Sequence, residues 1–375
     1  MLNVTTSRPT FSIEEKVIRG ERLTQEESCS LFNVDLFTLG RWADFRRKVL
    51  HPEPIATFVV DRNLNYTNVC NTDCKFCAFY RHPTAPDAYV RSIEEVLNRI
   101  QELVEIDGTQ VLLQGGHNSS LRLNYYTDLL KAIRTRFPQV HIHSFSPSEI
   151  DFIGRREGLT SLEVLKILKE AGLMSVPGGG AEILVDRVKN YMSPYKIQPS
   201  RWLGIMEEAN SIGLHTTATM VYGAVESKEE RIEHLMRIRE LQDKTGGFKA
   251  FILWSYSFSN TPLFHLTEAT GSEYLRMVAI ARLVLDNVPN LQTGWLTESK
   301  RLAQVALSYG ANDMGGILME ENVVSATGIK TPMMTKEEMI RLIRDTGKTP
   351  AQRNTRYEIV KIFHDKPRTH TPFAL

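Results

Sequence analysis

The sequence predicts an α/β chain closed into a (β/α)8, TIM-like barrel, flanked by a helical segment and a C-terminal extension. Three observations carry this reading. From about residue 55, short β-rich runs alternate with longer amphipathic runs. The alternation continues for more than two hundred residues, the pattern of a parallel sheet with helices outside it. Eight candidate strands can be counted, which favours a closed barrel over an open sheet.

The elements follow in order. Residues 11–50 place apolar residues at helical spacing, and Pro52 and Pro54 end that pattern. The strand candidates are TFVV with the NYTNV that follows, then QVLLQGG, VHIHSF, LMSVPG, HTTATMVYG, KAFILWSYS, LQTGWL and NDMGGI. Helix candidates lie between them. RSIEEVLNRIQELVEI opens with Ser92 and has Glu95 three residues on, the spacing of a capping box. The last stretch reads as one helix, a Gly-Lys-Thr-Pro break and a short second segment. The expected division is an N-terminal helical segment over residues 1–52, the barrel over 53–320 and an extension over 321–375, with both end segments packed on the barrel.

Composition narrows the function classes. The chain is 42% apolar and 24% charged, enough to bury a large core without disulfides or structural metals. Its formal charge is +1, so no single-sign field draws it to nucleic acid or to an anionic membrane. No run approaches the ~20 apolar residues of a membrane span, and the first residues lack the apolar core of a signal peptide. The expected home is the cytoplasm.

Four cysteines occur, and Cys70, Cys74 and Cys77 fall together just after the first strand. Such a cluster in a reducing compartment points to metal. Cys29 stands alone and reads as a buried small hydrophobe. A structural zinc site needs four ligands, and only His82 is near enough to be the fourth. A cubane iron–sulfur cluster normally takes four cysteines. Three cysteines leave one iron open for a substrate. Phe76, just before the last cysteine, is suited to shield a cluster from solvent.

The run C-x3-C-x-Φ-C after the first strand of a barrel resembles the signature of the radical S-adenosylmethionine (SAM) superfamily. The resemblance implies a [4Fe–4S] cluster on Cys70, Cys74 and Cys77 whose open iron chelates the methionine part of SAM. It also implies that the strand end Gly115-Gly116-His117 meets SAM, with Tyr80 and Glu182 as further cofactor-binding residues. Longer runs, among them LLQGGHN, VPGGGAEILVDRV, TTATMVYGAVESKEER and YGANDMGG…EENVVSATG, resemble the enzymes of the futalosine route to menaquinone and their relatives in deazaflavin cofactor synthesis. GANDMGG…EENVVSATG and TPAQRNTRY favour the cyclising members over the sisters that make aminofutalosine. For those members the resemblance implies dehypoxanthine futalosine as small-molecule substrate and an electron donor such as flavodoxin or ferredoxin. It implies hydrogen abstraction at ribose C4′ by a 5′-deoxyadenosyl radical, addition to the benzoate ring, and loss of an electron and a proton.

Candidate residues surround this chemistry. Glu182 follows the glycine triplet after the fourth strand, as a partner for SAM's ribose hydroxyls or as the base for the last proton; the triplet also reads as a flexible turn. His141 and His143 share a face of the third strand, with His143 the catalytic candidate, and core histidines are the alternative. Ser146 and Glu149 read as a helix cap or as site residues. Thr217 and Thr219 share one face of the fifth strand, while Tyr222 on the other face is a candidate proton relay. Glu226 reads as a site group or a cap. Trp254 and Tyr256 are candidates to stack on an aromatic ligand, or core. A substrate carboxylate calls for an arginine, and nothing in the sequence selects one. The competing readings are a sister reaction that adds the adenosyl radical to an enol ether, a non-enzymatic electron carrier and a zinc-stabilised barrel.

Overall fold

The computed structural model describes residues 11–329 and 333–364. The reading of the first ten residues and of the end of the C-terminal extension lies outside the described residues. The strands are β1 (Ile55–Val59), β2 (Asp61–Asn65), β3 (Gln110–Gln114), β4 (His141–Ser144), β5 (Ser175–Val176), β6 (His215–Tyr222), β7 (Phe248–Ser255), β8 (Asn290–Gln292), β9 (Asp313–Gly316), β10 (Thr349–Arg353) and β11 (Ile359–Ile362).

From β3 to β9 each strand pairs in parallel with the next. At one end of this series β2 pairs with β3, and at the other β1 pairs with β9. Only Val60 separates β1 from β2. Residues 55–65 therefore form one stave that joins both ends, and the curled parallel sheet is an α/β, TIM-like fold as expected. Helices cover the outside. Those opening after Ser92, Ser146, Thr160 and Ser227 each begin with a reciprocal capping box, the first of them at the expected Ser92–Glu95 pair. Each cap contributes about 1 kcal/mol.

Alternation along each strand decides which face meets what. On β3, Val111 and Leu113 are fully buried under the helices, whereas Gln110, Leu112 and Gln114 line the lumen. The N-terminal helix Leu36–Leu50 packs along the barrel helix Gly271–Val284. Arg22, near the start of the chain, bridges Asp243 and Asp286 on the barrel exterior.

One expectation needs correction, and another gains its form. The first strand runs through the polar segment Asp61–Asn65, and Tyr66–Val69 leaves the sheet, making only isolated bridges from Thr67 to Val90 and from Val69 to Arg81. The short second segment of the C-terminal extension is a hairpin of β10 and β11. β10 pairs in parallel with β1, from Ile55↔Thr349 to Phe58↔Gln352. It thus fills the seam below β3, where Gln352 donates to the Asp107 carbonyl at 3.0 Å. From this seam Arg353 grips Asp313 of β9 with Nε–Oδ2 at 2.5 Å and Nη2–Oδ1 at 3.0 Å, both side chains buried.

Breaking that pair leaves an uncompensated carboxylate under the barrel. Arg353→Ala is expected to lower unfolding stability by about 3–5 kcal/mol. Equilibrium denaturation checks this; a loss below about 1 kcal/mol would show that the pair does not hold the seam.

Candidate active site

The cysteine loop leaves the end of β2 and folds back on the residues that follow it, Tyr66–Val69. Cys70 N–H donates to the Arg81 carbonyl at 3.0 Å, and Arg81 N–H donates to the Asn68 carbonyl at 2.8 Å. Asn68 fastens the far side of the loop, donating to the Asp87 carbonyl at 2.9 Å and accepting from Tyr89 N–H at 2.8 Å. Asp73 adopts a left-handed backbone conformation (φ 44°) that turns the chain between Cys70 and Cys74. The guanidinium of Arg81 donates to the carbonyls of Ala78, Phe79 and Tyr80 and so closes the loop after Cys77.

The three cysteines, with Phe76 and Tyr80, line a cavity of about 260 Å³ at the barrel mouth. Thr72 Oγ1 lies 3.1 Å from Cys70 Sγ and 3.3 Å from Cys74 Sγ. Burial pushes the Cys74 thiol up to about 11, and burial also raises Cys77. Cys29 sits on the helix Gln25–Ser30, packed against the core and away from this cavity. His82 is exposed, faces Asp73 at 3.8 Å and does not line the cavity. Among the described residues no three His, Cys, Asp or Glu side chains are grouped to hold a single metal ion. A cubane instead takes each thiolate on a different iron, and soft sulfur donors on one cavity wall fit iron–sulfur chemistry.

The end of β3 lies directly against this loop. A Cβ on Gly116 would sit 2.1 Å from the Val69 carbonyl oxygen and 2.6 Å from Cys70 Cβ, so only glycine fits. His117 N–H then donates to Cys70 Sγ at 3.3 Å. Gly115 N–H donates to Glu149 Oε1 at 2.9 Å, which also accepts from Tyr66 O–H at 2.7 Å. Glu149 Oε2 accepts from Ser146, completing the helix cap. Ser146 and Glu149 therefore both cap a helix and hold the glycine strand end. The His117 ring stacks on Phe152 and sits 3.0 Å from Ser148 Oγ; burial lowers it to about 3, so it is neutral.

Glu182 lines the same cavity from the turn after β5, with φ at 42°. Lys189 Nζ donates to its Oε2 at 2.5 Å and Lys196 Nζ to its Oε1 at 3.0 Å. Burial alone would raise this carboxyl, but Lys189 and Lys196 outweigh it and hold it at about 2. A carboxylate with both oxygens bound to ammonium groups and so little proton affinity is a poor general base. The base reading of Glu182 is corrected accordingly.

Below lies a second cavity of about 310 Å³, which shares Gln114, Gly179, Thr219, Trp254 and Thr297 with the first. His143 lines it; its Nδ1 is 2.6 Å from Ser175 Oγ, and burial holds the ring at about 3. His141 shares Ser175 at 2.8 Å but lines neither cavity. Tyr222 lines neither cavity. Thr217, Thr219 and Val221 are the β6 residues facing the lumen, so Tyr222 points the other way, under the Arg231 guanidinium at 4.7 Å. Burial pushes its hydroxyl well above its ordinary value, and the relay reading is corrected. The two threonines hold the glycine turn, with Thr219 Oγ1 donating to the Gly178 carbonyl at 2.6 Å and Thr217 Oγ1 accepting from Gly178 N–H at 3.1 Å. Glu226 fastens the turn after β6 by accepting from the N–H groups of Gly223 and Ala224. Trp254 faces both cavities, and Tyr256 faces the upper one against Phe76.

Sequence reasoning missed Asp61, Asn63, Lys189, Lys196, Arg353 and Tyr357, all at the lumen or bound to a lumen residue. The available signal was the alternation Asp61, Asn63, Asn65, a polar face on one strand. Several buried polar atoms lining the two cavities have no hydrogen-bond partner among the described residues: Asn63 Oδ1, Tyr256 Oη, Thr297 Oγ1 and Thr355 Oγ1. Groups left so at a cavity wall suit a polar ligand.

Residues 64–238 match the radical SAM superfamily, and residues 245–366 match the CofH/MqnC C-terminal region. The class is thus a radical SAM enzyme. A cyclic dehypoxanthine futalosine synthase of Halalkalibacterium halodurans is 45% identical over 97% of this chain and 98% of its own. An aminodeoxyfutalosine synthase of Thermus thermophilus is 38% identical over 94% and 96%. The chain belongs to the family of radical SAM enzymes that carry the CofH/MqnC C-terminal region. Among solved structures, the FeFe-hydrogenase maturase HydG of Carboxydothermus hydrogenoformans shares the fold with a TM-score of 0.74 at 17% identity, covering 92% of this chain and 80% of that one. Among the described residues no helix is long and apolar enough to cross a membrane.

The Glu182 cluster gives a pH prediction. A carboxyl held below its ordinary 4.5 adds stability above that value and loses it as pH falls towards about 2. Glu182→Gln is expected to cost about 3–5 kcal/mol at neutral pH, because two lysines lose their counter-charge. The gap to the parent should narrow below about pH 4.5; a gap constant across that range in denaturation experiments contradicts the assignment.

Proposed function

We propose that this chain converts dehypoxanthine futalosine to cyclic dehypoxanthinylfutalosine, a ring-forming step in menaquinone biosynthesis. The observation that carries the reading is identity of 45% over almost the whole chain to a relative of that name, against 38% for the aminodeoxyfutalosine synthase. Membership of the radical SAM superfamily implies a [4Fe–4S] cluster and SAM. Once bound, these supply a 5′-deoxyadenosyl radical able to abstract the C4′ hydrogen of the ribose.

The chain's own residues have narrower tasks. Cys70, Cys74 and Cys77 are the cluster ligands in this reading. Gly115, Gly116, His117 and Tyr80 form the wall against which SAM lies, and the free Tyr256 hydroxyl faces the same space. Glu182 contributes a fixed negative charge there, held by its lysines. The lower cavity takes the substrate, with Trp254 between the two chambers and His143, as a neutral imidazole, on the wall. A walled lumen excludes water from a carbon radical and holds the reacting atoms in contact. The setting is the cytoplasm, with flavodoxin or ferredoxin as electron donor.

The test is anaerobic reconstitution with iron and sulfide, followed by SAM, dithionite and dehypoxanthine futalosine, with mass spectrometry of the products. The expected outcome is free 5′-deoxyadenosine with a product lighter than the substrate by two hydrogens. Unchanged substrate overturns the cyclase reading, and a product retaining the adenosyl group assigns the sister reaction. Cys74→Ala is expected to lose cluster iron and all deoxyadenosine formation while keeping its circular dichroism spectrum. Deoxyadenosine at the parental rate in that variant would dismiss the cysteine assignment.

A further inference from the structure

The cyclisation has an unassigned step: a proton must leave the attacked ring carbon to restore the aromatic ring. Glu182 is occupied by two lysines, and Tyr222 faces away from the lumen. The lower cavity holds another carboxylate, Asp61, on β2. It is buried, and one of its oxygens, Oδ1, accepts from Leu318 N–H at 3.2 Å. Among the described residues no donor is bonded to Oδ2. Room for this carboxylate is made by Gly316 of β9, where a Cβ would sit 2.1 Å from Oδ1 and 2.4 Å from Oδ2.

We infer that Asp61 is the general base that takes the ring proton of the cyclised intermediate, through Oδ2. The inference rests on the cyclase reading above. The step balances. The C–H bond breaks, the proton goes to the carboxylate, and the bonding pair rebuilds the aromatic ring as a radical anion. The one excess electron then passes to the iron–sulfur cluster, already oxidised by its earlier reduction of SAM. Asp61 therefore ends protonated and must release the proton before the next turnover.

The surroundings suit that task. The charged and titratable groups facing the floor are Arg353 of β10, Asp313 of β9, His143 of β4, and Glu321 and Tyr357 from the segments after β9 and β10. Arg353 is committed to Asp313 through Nε and Nη2, and among the described residues Asp61 has no ion-pair partner of its own. Glu321 accepts from the N–H groups of Val323, Val324 and Ser325. Burial, opposed by the Leu318 N–H and by Arg353, lifts the Asp61 carboxyl to about 6, where it holds a proton far better than Glu182 and still ionises at neutral pH.

Asp61→Asn keeps the acceptor for Leu318 N–H and removes the base. In the reconstituted enzyme with SAM, dithionite and dehypoxanthine futalosine, the variant is expected to form 5′-deoxyadenosine within about threefold of the parental rate. Cyclised product should fall by at least about 100-fold, the share general-base catalysis supplies. In the parent, the ratio of cyclised product to deoxyadenosine should fall as pH drops through about 6, because the base must be ionised. An undiminished product yield in Asp61→Asn overturns the assignment, as does a proportional loss of deoxyadenosine and product. A parental ratio flat from about pH 5 to 8 also overturns it, and this measurement needs no variant to fold. Failure of the parent to cyclise the substrate while still cleaving SAM sinks the cyclase reading, and the Asp61 assignment with it.

Discussion

The barrel depends on one buried ion pair. Arg353 reaches from the C-terminal hairpin to Asp313, whose Oδ2 also accepts from Thr57 Oγ1 at 2.5 Å. The contact ties β10, β9 and β1 together where the sheet would otherwise gape below β3. A guanidinium suits the position, since its planar fork meets a carboxylate through two parallel bonds and stays charged when buried. The extension is thus part of the wall. Without it, the lower half of the 55–65 stave would present an unpaired edge, and the lumen would open to solvent at its floor.

The mouth poses the opposite electrostatic problem. Burial favours the neutral thiol, as the raised value of Cys74 shows, whereas a cluster takes thiolates. Lys196 addresses this from the same cavity. Its ammonium binds Glu182 Oε1 and lies over the Phe76 ring at 5.2 Å, and its proton affinity is raised, against the effect of burial, by Cys74 and Glu182. Two lysines against one glutamate leave a positive excess beside the sulfurs, so thiolate charge meets its counter-charge within the protein. Glu182 is better understood as the anchor of that lysine pair than as a reactive group.

What the sequence made legible follows from burial. The staves carry apolar residues against the helices, as Val111 and Leu113 do on β3, and the longer apolar runs stand out. The cysteine spacing and the Gly115-Gly116 strand end were equally readable, because each has a single steric or chemical use. The missed segment, Asp61–Asn65, has Asp61, Asn63 and Asn65 facing a cavity and so lacks the composition of a strand. Arg353 was invisible for another reason: only the fold brings residue 353 beneath residue 313. Tyr222 was misjudged by position along β6. The parity of Thr217 and Thr219 governs which side faces the lumen, and an even-numbered neighbour cannot share it.

The two ends of the lumen therefore differ in charge, and the difference comes from which ion pairs are complete. At the mouth, Lys189 and Lys196 bind Glu182 and their excess charge faces the sulfurs. At the floor, Asp313 and Asp61 exceed Arg353. Between them lie uncharged groups: glutamine, threonine, tryptophan and a histidine kept neutral by burial. In a walled space of low polarity an incompletely paired charge is felt strongly, since little water screens it. Burial above all lifts the Asp61 carboxyl towards neutral pH, with Asp313 adding to it and the Leu318 N–H and Arg353 opposing it.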